Sequence, residues 1–254
     1  MNDYLVFLKK ELIEYARTYK LLILLIVFII FGITNPLIAK LTPELLASFM
    51  PEGMLVAIPE PTALDSWAQF FKNTQQMGII VLVLVFSGVL SNELSRGTLI
   101  NLLTKGLSRE AVIIGKFLAM LLVWSLSVLL SSLLTLVYTI YLFPGDQVQN
   151  LVLAVFCMWL FGAFLLAVLL GSATLVSGNY GSLLLTGLTV VVLLILNIIP
   201  GARRFNPISL ATRNMELVSN TTEASALFAA IGVTGLAILG LITLTVYVFR
   251  RKRL

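Results

Sequence analysis

Six long apolar runs, at roughly 21–39, 74–92, 113–142, 149–176, 182–200 and 224–249, dominate the 254-residue chain. A helix needs about 20 mostly apolar residues to cross the hydrocarbon of a bilayer. Backbone N–H and C=O groups find no water there, and the runs lack two-residue alternation, so each is expected to be a helix rather than a barrel strand. Charged residues make up 11% of the chain and hydrophobic ones 59%, whereas soluble domains are about a quarter charged. The expected fold is therefore an all-α integral membrane protein, one domain over 1–254 with six transmembrane helices. The third run exceeds what a vertical helix needs. It is expected to tilt, or to begin outside the lipid with Lys116 near the interface.

The chain has no histidine. That removes the commonest metal ligand and the commonest general acid–base group, so no catalytic residue and no metal site is expected. The phosphate-binding pattern G-x-x-x-x-G-K-[ST] is absent. Gly115-Lys116 is followed by Phe117, and Glu110 stands where the first glycine should be. No span carries a charge at its centre, which argues against an ion-coupled carrier. The single cysteine, Cys157, forms no intrachain disulfide and reads as a small buried hydrophobe. No small-residue cleavage site follows the charged, aromatic first twenty residues, so no cleavable signal is expected.

Six spans put both termini on one side. That side holds Lys9, Lys10, Arg17, Lys20, Arg96, Lys105, Arg109, Lys116, Arg250, Arg251, Lys252 and Arg253; the other holds Lys40, Lys72, Arg203, Arg204 and Arg213. Twelve cations against five assign the termini to the cytoplasm, although Arg203 and Arg204, just beyond span five, run against the trend. The external segments are 40–73 and 201–223. Pro43, Pro51, Pro59 and Pro61 predict irregular backbone and short helices in the first. Its Trp67, Phe70 and Phe71 read as an aromatic belt, with a lid over an external exit as the alternative. Tight turns are expected at 143–148 and 177–182.

Wound as a helix, residues 2–20 put Tyr4, Leu5, Leu8, Leu12, Tyr15, Ala16 and Tyr19 within a third of the circumference, with Lys9, Lys10, Glu14, Arg17 and Lys20 on the remainder. This predicts an amphipathic helix lying flat in the cytoplasmic interface, over about 1–20. Arg250–Arg253 are expected to anchor span six against anionic lipid.

Between spans two and three runs SNELSRGTLINLLTKGLSREAVIIGKFLA, residues 91–119. Its polar part, about 93–112, is too short for a domain with its own core, yet long enough for two short surface helices. Glu93 and Arg96 are spaced to pair on one turn. Gly97 and Gly106 permit breaks. Ser108 suits an N-cap, and Glu110 falls in the first turn, where the helix dipole favours an acid. The interval reads as helix, break, capped helix: a small rigid plug for a partner's groove, or a solvated hairpin with no partner.

Ser127, Ser131, Thr135 and Thr139 recur every fourth residue in span three. They form a hydroxyl stripe that either faces a pathway or serves close helix packing. Asn197 in span five either lines that pathway or bonds between helices.

The order Ser91-Asn92-Glu93-Leu94-Ser95-Arg96-Gly97-Thr98-Leu99, then Leu102-Leu103-Thr104, Ser108-Arg109 and Gly115-Lys116-Phe117-Leu118-Ala119, resembles the cytoplasmic loop of type-2 ABC transporter permeases. That family often has Gly-Glu where this chain has Asn92-Glu93. The resemblance implies a membrane permease subunit of an ABC exporter, paired with a second permease chain (a homodimer or a related heterodimer) and with two copies of a cytosolic ATPase. The ATP and Mg would be held by the ATPase, and no cofactor by this chain. It implies contacts with membrane lipid and none with nucleic acid, in a bacterial or archaeal plasma membrane. Carried over by position, Glu93, Arg96, Gly97, Thr98, Lys105, Ser108, Arg109 and Glu110 would form the coupling segment. Gly178 and Asn179 would add a smaller contact. The implied cargo is amphipathic or hydrophobic: a peptide antibiotic, a drug or a lipid-like molecule. Two other readings compete: a self-sufficient channel or carrier, and an immunity or sensor protein that binds a toxic peptide without moving it. Co-purification of an ATPase separates the first reading from the others.

Overall fold

The computed structural model describes residues 3–49, 60–104, 106–146, 148–176 and 178–252. Lys105, Ser177, Arg253, Pro51 and Pro59 lie outside them. Among the described residues, six helical stretches are long and apolar enough to cross a membrane: Lys20–Leu45, Ala63–Ser95, Arg109–Leu142, Leu151–Leu175, Asn179–Leu196 and Ala224–Arg251. In chain order the helices are α1 (Asp3–Arg17), α2 (Lys20–Phe49), α3 (Ala63–Asn73), α4 (Ile79–Phe86), α5 (Ser91–Ser95), α6 (Thr98–Thr104) and α7 (Arg109–Leu142). They continue with α8 (Leu151–Leu175), α9 (Asn179–Leu196), α10 (Pro200–Arg203), α11 (Ser209–Thr212), α12 (Asn214–Val218) and α13 (Phe228–Arg251). A π-helical turn, Thr74–Gly78, joins α3 to α4, and a 3₁₀ turn, Ala224–Leu227, leads into α13.

α8 is apolar around its whole circumference and buried along most of its length, as expected for a central helix. α7, α9 and α13 pack on it, and α2 runs beside α7. Gly162 of α8 receives the Trp124 indole of α7, whose Nε1 donates to the Trp159 carbonyl at 2.9 Å.

The start of the first external segment is more helical than its proline suggests, because α2 continues through Pro36 and Pro43 to Phe49. Proline removes the bond to the carbonyl four residues back. For Pro36 that carbonyl is Gly32, and the Thr135 hydroxyl of α7 donates to it at 3.4 Å. A neighbouring helix thus supplies the lost donor, which is how spanning helices tolerate proline.

The hydroxyl stripe lies in this α2–α7–α3 packing, with Ser127, Ser131, Thr135 and Thr139 all buried. Ser127 donates to its own helix at the Val123 carbonyl, 2.9 Å away, and Thr139 shares a 2.6 Å hydrogen bond with Ser66 of α3. A Cβ on Gly32 would stand 3.0 Å from the Ser131 carbonyl oxygen. The stripe faces helices rather than an open path, because small polar residues let backbones approach closely. Asn197 caps α9 and accepts from Ser209 at 3.0 Å.

Trp67, Phe70 and Phe71 form no belt. They occupy positions i, i+3 and i+4 on α3, all at most 2% exposed, and pack with Phe161 and Phe164 of α8 and Leu217 of α12. They close the core at the end opposite the termini. The sequence signal was ambiguous because a belt and an inward face both need aromatics at the start of a span.

Candidate functional site

At the end of the bundle carrying both termini, α1 packs against α7, and its inward face differs from the one the apolar residues suggest. Phe7, Glu11 and Tyr15, four residues apart in turn, are buried, while Leu5 and Tyr19 are exposed. Gly115 makes room for Phe7, since a Cβ there would lie 2.6 Å from its ring. One residue further on, Lys116 is fully buried. A lone buried ammonium would be prohibitively costly, so it must be paired. Its Nζ lies 2.9 Å from Glu11 Oε1 on α1 and 2.7 Å from Glu93 Oε2 on α5.

Lys10 closes the network from the outer side. Its Nζ is 2.5 Å from Glu93 Oε1, 2.9 Å from Glu11 Oε1 and 2.7 Å from Glu14 Oε2. Burial works to lower the Lys10 pKa, but hydrogen bonds to Glu14 and Glu93 and the charge of Glu11 outweigh it and raise the value. Beside the network the buried Tyr15 ring rests on Phe86, centroids 5.3 Å apart. Burial, then the nearby Glu11 charge, pushes the Tyr15 phenol well above its ordinary value. Glu11, Glu14 and Glu93 stand close enough to share a cation, and two lysine ammoniums already hold them.

Glu93 therefore turns inward, and the expected Glu93–Arg96 surface pair does not form. A fully buried and a half-buried lysine outcompete one exposed arginine, whose pairing would be worth little. Arg96 is exposed and lines, with Lys10, Glu14, Lys20, Glu93 and Thr98, a cleft of about 420 Å³. Gly97 breaks the chain with φ +68°. α6 follows, anchored by the fully buried Leu99, with Thr98, Ile100, Asn101 and Thr104 exposed. Gly106 makes the second break with φ +97°, and Ser108 caps α7, its hydroxyl accepting from the Ala111 N–H at 3.1 Å.

The turn before α9 joins this surface. Gly178 has φ +91°, and Asn179 donates to Asn92 Oδ1 at 2.9 Å and accepts from the Ser91 hydroxyl. Ser182 donates to the Ser87 carbonyl at 3.1 Å. Gly178 and Asn179 are thus joined to the start of the 91–108 segment. Arg109 and Glu110 are occupied differently. Arg109 donates to the carbonyls of Phe249, Arg250 and Lys252 at 2.9, 2.8 and 2.7 Å, capping the end of α13. Glu110 pairs with Arg250 and accepts from Tyr4 at 3.5 Å.

One sequence-profile comparison decides the assignment: the profile described as ABC-2 family transporter protein matches residues 5–254. The chain belongs to the ABC-2 transporter family. It is also similar to an uncharacterized transmembrane protein, YxlG, of Bacillus subtilis (strain 168), with 22% identity over 255 residues, 99% of this chain and 98% of that protein. The ABC-2 assignment makes the chain a multi-pass membrane component of a transporter, from a family that generally pairs with ABC ATPase subunits.

Sequence reading missed Lys10, Glu11 and Lys116 as site residues. Two signals were available: a single lysine inside an apolar run, which needs a partner, and an acid flanked at i±4 by Phe7 and Tyr15 on one face of α1.

Proposed function

We propose that this ABC-2 protein is the permease subunit of an exporter driven by a separate cytosolic ATPase, with both termini in the cytoplasm. The observation that carries the reading is the ion network of Lys10, Glu11, Glu93 and Lys116. It ties the surface helix α1, α5 at the start of the 91–108 segment and the first turns of span three into one ion-paired unit. Beyond that unit the exposed Arg96, Thr98, Ile100, Asn101 and Thr104 stand clear of the bundle on and beside α6. A push on α6 from an ATPase closing on ATP is passed through buried charges to α1 and α7, because such contacts have one good geometry and resist sliding. The chain lacks a phosphate-binding loop of its own, so nucleotide and Mg belong to the partner. A second permease chain completes the pathway, and the cargo is amphipathic or hydrophobic.

The test uses the full chain co-purified with its ATPase and reconstituted in liposomes. Arg96→Glu combined with Asn101→Arg, both exposed, leaves the melting temperature unchanged and lowers ATPase retention at least tenfold. Full retention and undiminished ATP-dependent transport in that variant would remove α6 as the docking element.

A further inference from the structure

The arginines that run against the charge bias of the chain converge in space. Of the five cations assigned to the side opposite the termini, Lys40, Lys72, Arg203, Arg204 and Arg213, the three arginines line one open cup of about 400 Å³, completed by Pro200, Ser225 and Ala226. The cup joins α10, just past the end of α9, to the 3₁₀ turn that starts α13.

Compensation is incomplete. Glu216 takes Arg203 at 2.9 Å and Arg213 at 2.7 Å, and Thr222 accepts from Arg213 at 3.3 Å. Arg204 makes no ion pair among the described residues. Glu223 accepts from Ser225 at 3.1 Å at the rim. Three guanidiniums against Glu216 leave two positive charges, or one if Glu223 is included. Guanidinium forks match phosphate oxygens in geometry and charge. Around the cup, at the ends of two spans, Ile198, Ile199, Phe205 and Phe228 are 80%, 52%, 51% and 59% exposed. Apolar side chains left exposed at the ends of spans suit acyl chains rather than water.

We propose that the Arg203–Arg204–Arg213 cup binds the phosphate of an anionic membrane lipid whose acyl chains lie on the exposed apolar residues between α9 and α13. Arg213, the least exposed and held by Glu216 and Thr222, is the fixed wall. Arg204 and Arg203 close on the phosphate from the solvent side. The site lies at the opposite end from α6 and does not depend on the proposed ATPase coupling.

The experiment is native mass spectrometry of the full chain from mixed micelles of phosphatidylglycerol and phosphatidylcholine. Wild type retains phosphatidylglycerol preferentially. Arg204→Gln, at an exposed position without an ion pair, melts as wild type and loses about fivefold in retention, the effect of one surface arginine on an anionic headgroup. Lys72→Gln removes an equal charge from the same end and leaves retention unchanged. Displacement of the lipid by millimolar inorganic phosphate would make the cup a free-anion site and overturn the proposal. Wild-type retention in Arg204→Gln, or an equal loss in Lys72→Gln, would overturn it as well.

Discussion

The Lys116 ammonium of α7 and the Glu11 carboxylate of α1 meet at 2.9 Å with both side chains fully buried, although 105 residues separate them. The contact fixes the rotation of α1. Leu8, Leu12 and Tyr15 of the apolar face pack on the core, while Leu5 and Tyr19 are turned out so that Glu11 can reach the lysine.

Removing Lys116 leaves the buried Glu11 and Glu93 carboxylates to share Lys10 alone, with their inner side uncompensated. Lys116→Met is expected to destabilise the protein by about 3–5 kcal/mol, read as a lower melting temperature in detergent. Glu11→Gln with Lys116→Met removes one negative charge along with the positive one, restores the charge balance around Lys10 and Glu93, and should recover much of the loss. A double variant as unstable as the sum of the singles would show that the pair carries no coupling.

Arg109 holds the C-terminal turn of α13 through three carbonyls. Arg109→Ala should expose the backbone around Arg250 and Arg251, so trypsin cleaves there faster than in wild type. Bonds to a charged donor contribute about 1.5–3 kcal/mol, and a small drop in melting temperature should accompany the change. An unaltered cleavage rate would mean the end of α13 is held by other contacts.

Gly162 faces the Trp124 indole, with a would-be Cβ 2.4 Å from the ring carbons Cε2 and Cζ2. The ring cannot step aside, because its N–H is bonded to the Trp159 carbonyl and it packs edge-on against Phe28 at 5.5 Å. Gly162→Ala is therefore expected to cost about 1–3 kcal/mol through overpacking, despite alanine's better helix propensity. A melting temperature equal to or above wild type would contradict the packing described for α7 on α8.

Stability should fall at both extremes of pH. Lys10 and Tyr15 have folded pKa values raised above their ordinary 10.5 and 10.0. Folding thus favours their protonated forms, and their contribution is complete below about pH 10 and lost as pH rises through the raised values. Glu216 is shifted the other way. Burial pushes it up, but the hydrogen bond from Arg213 and the charges of Arg213 and Arg203 hold it below 4.5. Its contribution is present above that value and fades as pH falls. Melting profiles across pH should lose part of their alkaline limb in Lys10→Met and part of their acid limb in Glu216→Gln. Superimposable profiles would exclude these groups as the cause.

Much of the fold was legible because the bilayer is a stringent solvent. Six crossings, the breaks at Gly97 and Gly106 and the Ser108 cap all follow from local chemistry: apolar run length, φ > 0, and an oxygen before a helix start. Proline misled. Pro43 reads as irregular backbone, yet α2 passes through it, and a helix-breaking residue is tolerable where neighbours supply what it removes. Thr135 does so for Pro36 at the Gly32 carbonyl, and no local pattern contains that bond.

The sequence by itself determined that six runs are long and apolar enough to cross lipid and where the polar interval between them falls, because burial of backbone and charge in hydrocarbon is decided residue by residue. Only the tertiary structure decided which face of α1 turns inward, that Glu93 answers Lys10 and Lys116 instead of Arg96, and that three arginines share one cup. Those outcomes depend on which distant groups meet once the helices pack. A buried charge or freed carbonyl accepts any partner of the right chemistry, and the packed bundle selects the one within reach.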